Sequence, residues 1–149
     1  MAFKFNISEK NGKTFHFESE AEEIIGKEIN SIIKGEDINI ELKGYELQIT
    51  GTSDSAGLTA MANVEGVGLK KVILNYGKAM HKKPKGLKKK SKRPPKGLKL
   101  RKTVRGKVIS PAITQINIKV IKEGHKKLEE IFPDQAKGKS KEEKKEKTE

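Results

Sequence analysis

Between Gly66 and Lys122 the chain carries nineteen Lys and Arg and not one Asp or Glu. The chemistry open to such a run is neutralisation of a polyanion. Lysine supplies a mobile point charge, and arginine supplies a planar fork that matches a phosphate with two parallel hydrogen bonds. The candidate contacts are Lys70, Lys71, Lys82, Lys83, Lys85, Lys88, Lys89, Lys90, Lys92, Arg93, Lys96, Lys99, Arg101, Lys102, Arg105 and Lys107. Charge is segregated along the chain. Residues 1–65 have a net charge of −6, residues 66–122 of +19, and residues 123–149 of zero. Solubility alone needs no such separation, which builds a localised positive field.

Other chemistry has little to work with. Cysteine is absent, which removes disulfides, thiolate nucleophiles and zinc fingers. His16, His81 and His125 are scattered without metal-ligand spacing. His16 falls between Phe15 and Phe17, so an exposed strand position is its expected place. Asp54, after Thr52-Ser53, has the character of a turn residue. No Gly-x-Ser-x-Gly elbow and no Walker lysine is present, and Gly66-Val67-Gly68 is only a fragment of a dinucleotide fingerprint. The expectation is a protein that is not an enzyme and uses no metal, cofactor or small-molecule substrate.

The elements that must position the basic stretch read mostly as strands. Phe3, Phe5 and Ile7 alternate with polar residues, Asn11-Gly12 marks a hairpin, and Phe15 and Phe17 resume the alternation. Ser19-Glu20-Ala21-Glu22 has the form of a capping box, which predicts a short helix to about Ile25 with Gly26 as its stop. Ile38, Ile40 and Leu42 predict a strand, Gly44 breaks it, and Tyr45, Leu47 and Ile49 predict the next. Lys70–Leu74 and Val104–Ile109 predict strands on either side of the basic run. Ser110-Pro111 predicts a turn before a last strand through Ile116, Ile118 and Val120. Lys126 to Phe132 predicts one or two helical turns closed by Pro133.

These elements predict a mostly-β chain: a small single-domain β-barrel of about six strands with one short helix, a long basic loop and a disordered tail. Residues 1–125 form that domain, including a basic arm at 75–102, and residues 126–149 form a short helical turn and a Lys/Glu tail. The arm has almost no core-forming residues, and Pro84, Pro94 and Pro95 oppose helix, so it is expected to order on a partner. A 25-residue extension within it reaches at most about 80 Å. The N-terminus lacks a signal-peptide apolar region, and no window approaches the ~18 apolar residues of a membrane span. A soluble intracellular protein is expected, with no membrane partner.

Among polyanions, a membrane surface would ask for apolar residues at helical spacing. Sequence-specific DNA modules ask for a recognition helix, and sequence-reading RNA modules for an aromatic platform. The stretch offers none of these, which leaves binding to a phosphate backbone with little base readout. Such binding weakens steeply with salt, at roughly −0.7 to −0.9 in log K per decade of salt for each phosphate neutralised.

Two segments carry a family resemblance. Gly44-Tyr45-Glu46-Leu47-Gln48-Ile49-Thr50-Gly51-Thr52-Ser53-Asp54 and Arg101-Lys102-Thr103-Val104-Arg105-Gly106-Lys107-Val108-Ile109-Ser110 resemble small-subunit ribosomal protein number six of the archaeal and eukaryotic type. Gly57-Leu58, Met61, Val64, Gly66 and Lys70–Leu74 fall between them in the expected order, and the resemblance covers about residues 1–125. It implies a structural constituent of the small ribosomal subunit in the cytoplasm, bound to ribosomal RNA through the basic arm and beside neighbouring ribosomal proteins. The rival from the residues alone is a non-ribosomal RNA-binding chaperone or regulator using the same surface. Thr52 replaces the second glycine usual before Ser-Asp in the family, and lysine dominates where the family is commonly arginine-rich. The short tail, with Ser140 as its only serine, lacks the long helix of eukaryotic members. Replacing Arg101, Lys102 and Arg105 by Ala is expected to weaken assembly while leaving the domain folded.

Overall fold

A computed structural model of the chain describes residues 2–81 and 96–136. Seven strands dominate them: β1 (Phe3–Ser8), β2 (Thr14–Ser19), β3 (Ile32–Lys34), β4 (Glu46–Asp54), β5 (Leu69–Asn75), β6 (Lys99–Arg105) and β7 (Ile113–Lys122). Two helical turns follow, α1 (Leu128–Ile131) and α2 (Pro133–Ala136). Five strands form one mixed sheet in the order β2-β1-β7-β4-β3, and β5 and β6 form a separate antiparallel ribbon.

Alternation places the core. Phe3, Phe5 and Ile7 of β1, Leu47 and Ile49 of β4, and Ile116, Ile118 and Val120 of β7 are buried, while their neighbours in sequence turn outward. Ile24, Ile33, Ile38, Leu42, Tyr45, Ile109 and Leu128 cover that face. β1 and β2 pair from Phe3↔Ser19 to Ser8↔Thr14, and the connection between them spans residues 9–13. β7 pairs parallel with β1 and antiparallel with β4. The β4–β7 ladder shifts register three times, one shift lying between Ile49 and Gly51. Such irregularities bend a strand and increase its twist.

The ladders do not close into a barrel among the described residues. The ribbon meets the sheet through isolated bridges, Ser53↔Thr59 and Ala60↔Arg105, and Glu28↔Val108 ties in a further loop.

Three local expectations are corrected. Ser19 does not cap a helix: its hydroxyl donates to the Ile38 carbonyl at 2.8 Å, and residues Glu22–Ile24 form a single 3-10 turn. Ala21 and Ile24 are the two apolar anchors there, one such turn apart, and Gly26 at φ +88° ends it. Ile38, Ile40 and Leu42 do not form a strand. Gly35–Asp37 and Ile40–Leu42 are 3-10 turns, which bury Ile38 and Leu42 and expose Ile40. Gly35 permits this fold-back, since a Cβ on it would lie 2.1 Å from the Leu42 carbonyl oxygen. Finally, Pro133 opens α2 and does not merely end α1. A proline fits the first position of a helical turn because its missing N–H is not needed there.

α1 is seated by burial of Leu128 and by Phe132, whose ring stacks 5.3 Å from Phe17. The strand expected over Val104–Ile109 instead runs Lys99–Arg105, and residues 106–109 leave it to be held by loop hydrogen bonds and one isolated bridge at Val108. That shift moves Arg101 and Lys102 from the approach to a strand into its middle.

Candidate nucleic-acid interface

The β5–β6 ribbon is the described root of the basic arm. Its register runs from Leu69↔Arg105 through Lys71↔Thr103 and Ile73↔Arg101 to Asn75↔Lys99. Directly opposed residues of an antiparallel pair share a face. One face therefore carries Leu69, Lys71, Ile73 and Asn75 with Lys99, Arg101, Thr103 and Arg105. The other carries Lys70, Val72 and Leu74 with Leu100, Lys102 and Val104. Burial separates the two faces. On the second, Val104 is buried and Val72, Leu74, Leu100 and Lys102 are half-buried; on the first, all but Thr103 and Arg105 are exposed. The first face looks to solvent.

The charges on the ribbon are uncompensated. Among the described residues, no carboxylate lies within ion-pair distance of Lys70, Lys71, Lys96, Lys99, Arg101 or Lys102. Lys99 and Arg101 stand on alternate positions of one strand, roughly 7 Å apart by strand geometry. A row of like charges held by backbone pairing is costly in isolation and favourable against phosphates. Lys96 sits in the turn that enters β6 and is exposed. Lys82, Lys83, Lys85, Lys88, Lys89, Lys90, Lys92 and Arg93 lie outside the described residues.

Arg105 and Lys107 are placed differently. Arg105 donates through Nε to Asp54 Oδ2 at 2.8 Å, with the two side chains only 17% and 4% exposed. Asp54 Oδ1 also accepts from the Leu58 backbone N–H at 2.8 Å. Burial pushes the Asp54 carboxyl up, but the hydrogen bonds from Arg105 and Leu58 outweigh it and hold the group below the ordinary aspartate range. Lys107 pairs with Glu28 at 3.1 Å. Both cations thus have acidic partners within the fold, and the expectation that Arg105 can be removed without cost to folding is revised.

Backbone contacts hold the ribbon's base. Arg105 N–H donates to Thr59 O, Met61 N–H to Arg105 O, Gly106 N–H to Gly68 O and Lys107 N–H to Val64 O. On the other side Ile29 N–H donates to Lys107 O, and Ile109 N–H to Lys27 O. Residues 105–109 are therefore clasped between two loops. Gly106 is required by the closeness of that clasp: a Cβ there would lie 1.9 Å from the Gly66 carbonyl oxygen. This gives the glycine of the Arg-Lys-Thr-Val-Arg-Gly segment a steric cause.

Elsewhere the polar groups are structural. His16 Nδ1 lies 2.5 Å from Asn6 Oδ1 on the outer face of the sheet, and Asn6 in turn donates to Asn117 Oδ1 at 2.8 Å. Among the described residues no group of three or more His, Cys, Asp or Glu is placed to hold a metal ion. Nor is any of their helices long and apolar enough to cross a membrane. A groove of about 810 Å³ beside β3 mixes Glu23, Glu36 and Glu46 with Lys27 and Lys34, and Lys27 is paired with Asp37 at 2.8 Å. That groove offers no convergent charge.

Sequence reasoning overlooked two residues on the solvent face of the ribbon, Leu69 and Ile73. Their alternation with lysine was visible; which side of the ribbon they occupy depends on cross-strand register.

Comparison with known proteins identifies a family. A family model described as Ribosomal protein S6e matches residues 3–133. A protein of Methanococcus maripaludis (strain C5) named small ribosomal subunit protein eS6 is 39% identical over 125 residues, covering 83% of this chain and 90% of that protein. Proteins of the same name from Methanocaldococcus jannaschii and Archaeoglobus fulgidus are 36% and 37% identical, covering 87% and 89% of this chain and 89% and 96% of theirs.

Proposed function

The chain belongs to the ribosomal protein S6e family, and from that premise we propose that it is a structural, non-enzymatic constituent of the small ribosomal subunit in the cytoplasm that binds ribosomal RNA through its basic arm. The observation that carries the RNA-binding part is the ribbon's solvent face, where Lys71, Lys99 and Arg101 stand without an acidic partner among the described residues. We take residues 75–102 as the arm, with Lys70 and Lys71 before it and the start of β6 within it. Neighbouring ribosomal proteins are partners on the same reading.

The proposal divides the cations by task. Lys71, Lys96, Lys99 and Arg101 face RNA, while Lys102 stands half-buried on the ribbon's other face. Arg105 and Lys107 fix the root from which the arm departs. Phosphate contacts of this kind orient a protein on its RNA without reading sequence.

Sucrose-gradient fractionation of cells expressing the chain, followed by a graded salt wash, tests the assignment. A ribosomal constituent migrates with small subunits at physiological salt and is released only at high salt. A predominantly free pool at physiological salt would overturn the proposal and favour a transient RNA-binding role.

A further inference from the structure

The ribbon carries more than charge. On its solvent face Ile73 is 63% exposed and Leu69 51% exposed, and both are flanked by cations. Ile73 stands opposite Arg101, and Lys71 lies two residues from each of Ile73 and Leu69 on the same strand. Exposed single apolar residues are ordinary, but these two share one face of a short strand with Lys71 midway between them, so apolar and cationic side chains alternate along it. Phosphate binding does not use the apolar members of that row, because phosphates offer nothing apolar to cover them.

We infer that this face binds RNA where riboses or unpaired bases are laid open, with Ile73 and Leu69 covering apolar nucleotide surface while Lys71, Lys99 and Arg101 hold the flanking phosphates. The inference rests on the proposed RNA-binding function and narrows its substrate to irregular RNA. Charge decides against a protein occupant, since no acidic residue occurs anywhere from Gly66 to Lys122 and cations stand between and opposite the two apolar side chains. RNA geometry then decides which nucleotides. A perfect A-form duplex keeps its bases stacked and its major groove too deep and narrow for side chains, whereas loops and bulges lay unstacked bases and sugars open. Aliphatic side chains can wedge against unstacked bases.

The discriminating measurement is fluorescence anisotropy of the full chain with two labelled RNAs, a perfectly paired duplex and the same duplex opened by an internal loop, across a salt series. The wild-type chain should prefer the looped RNA. Ile73→Ala should lower affinity for the looped RNA by about threefold to tenfold. It should leave duplex affinity and the salt slope unchanged, because no phosphate contact is lost. Ile73→Thr, which keeps the β-branched shape suited to a strand, should show the same loss and guards against a folding artefact. Arg101→Ala should instead weaken both RNAs and flatten the salt slope.

Equal binding of both RNAs by the wild-type chain overturns the inference. So does an Ile73→Ala chain that binds like wild type, or one that loses affinity for both RNAs equally. Intact RNA binding with weaker retention of Ile73→Ala on small subunits would assign the face to a protein neighbour and also overturn it. A wild-type chain that binds neither RNA would remove the proposed function itself, a result distinct from a silent Ile73.

Discussion

The Arg105 guanidinium donates to Asp54 Oδ2 at 2.8 Å, which fastens the last residue of β6 to the last residue of β4. The pair is partly withdrawn from water, so each charge depends on the other for compensation. Arg105→Ala leaves Asp54 buried and without its cation. Its expected cost is about 3 kcal/mol, near the lower end for breaking a buried pair. Arg105→Lys should recover part of that loss but not the geometry of the planar fork. Urea denaturation of the two variants against wild type measures both.

The same pair sets an acid limit. The Asp54 carboxyl is held below the ordinary aspartate range in the folded chain. Its contribution is therefore complete above the unfolded pKa, near 3.9, and is lost as pH falls through the lower folded value. Thermal melts taken downward from about pH 5 should show a steeper loss for wild type than for Asp54→Asn, which is less stable at neutral pH. Parallel curves for the two proteins would count against this account.

Gly106 offers a steric prediction. A methyl group at Gly106 meets backbone, the Gly66 carbonyl, at 1.9 Å, and backbone cannot swing aside as a side chain can. Gly106→Ala should push the 66–68 loop off residues 105–108 and cost about 2–4 kcal/mol, within the range of severe packing errors. Hydrogen exchange should report it locally. The Gly106 and Lys107 amides, bonded to Gly68 and Val64, should lose protection before the β1–β7 ladder does.

Arg101→Ala with Lys102→Ala separates binding from folding. Neither side chain has an ion-pair partner among the described residues, so the double variant should melt within ~0.5 kcal/mol of wild type. Retention on small subunits should fall, and the RNA-binding salt slope should drop by roughly 0.7–0.9 per lost phosphate contact. Adding Arg105→Ala should lower the melting temperature as well. A stable triple variant would show that the Asp54 pair matters little.

Tyr45 joins the sheet to the C-terminal turn through its hydroxyl, which donates to the Lys126 carbonyl at 2.5 Å. Tyr45→Phe should cost about 1 kcal/mol, the usual net worth of one hydrogen bond. Tyr45→Ala should cost about 3–5 kcal/mol, because the buried ring is lost too. Gly124 packs against the same ring, where a Cβ would approach Tyr45 Cδ2 to 2.5 Å. That Cβ would also meet the Lys43 carbonyl oxygen at 2.6 Å, so Gly124→Ala should resemble the more severe Tyr45 variant in denaturant midpoint.

Legibility in the sequence followed the range of the interaction. β1, β2, β4 and β7 were readable because their apolar residues alternate over several positions and face one core. Two nearby readings failed for local reasons. Ser19 had the capping residue type, but Ile38 carbonyl competed for its hydroxyl. Ile38, Ile40 and Leu42 alternated, yet had no strand beside them to complete a ladder. The start of β6 was hidden because Lys99, Arg101 and Lys102 look like a solvated run until Asn75, Ile73 and Val72 are set against them. Asp54 was recognisable as a turn residue, and it does accept from Leu58 N–H. Its bond to Arg105, fifty-one residues away, has no signature in either neighbourhood. The outward direction of Ile73 has the same origin: register across a ribbon is a tertiary fact.

The position of β7 bears on how the chain comes into being. It lies in the middle of the sheet, between β1 and β4, yet among the described strands it is the last in chain order. Without it the β1–β2 and β3–β4 pairs would each keep one inner edge unsatisfied. The parallel pairing that unites them joins residues as far apart as Asn6 and Asn117, a closure that carries a large entropic cost and slows assembly. The lysine-rich segment leaves the translating machine before that closure is possible. Newborn chains therefore present their full positive charge to surrounding RNA while the core is still open, which makes the order of capture and folding a hazard that the cell must control.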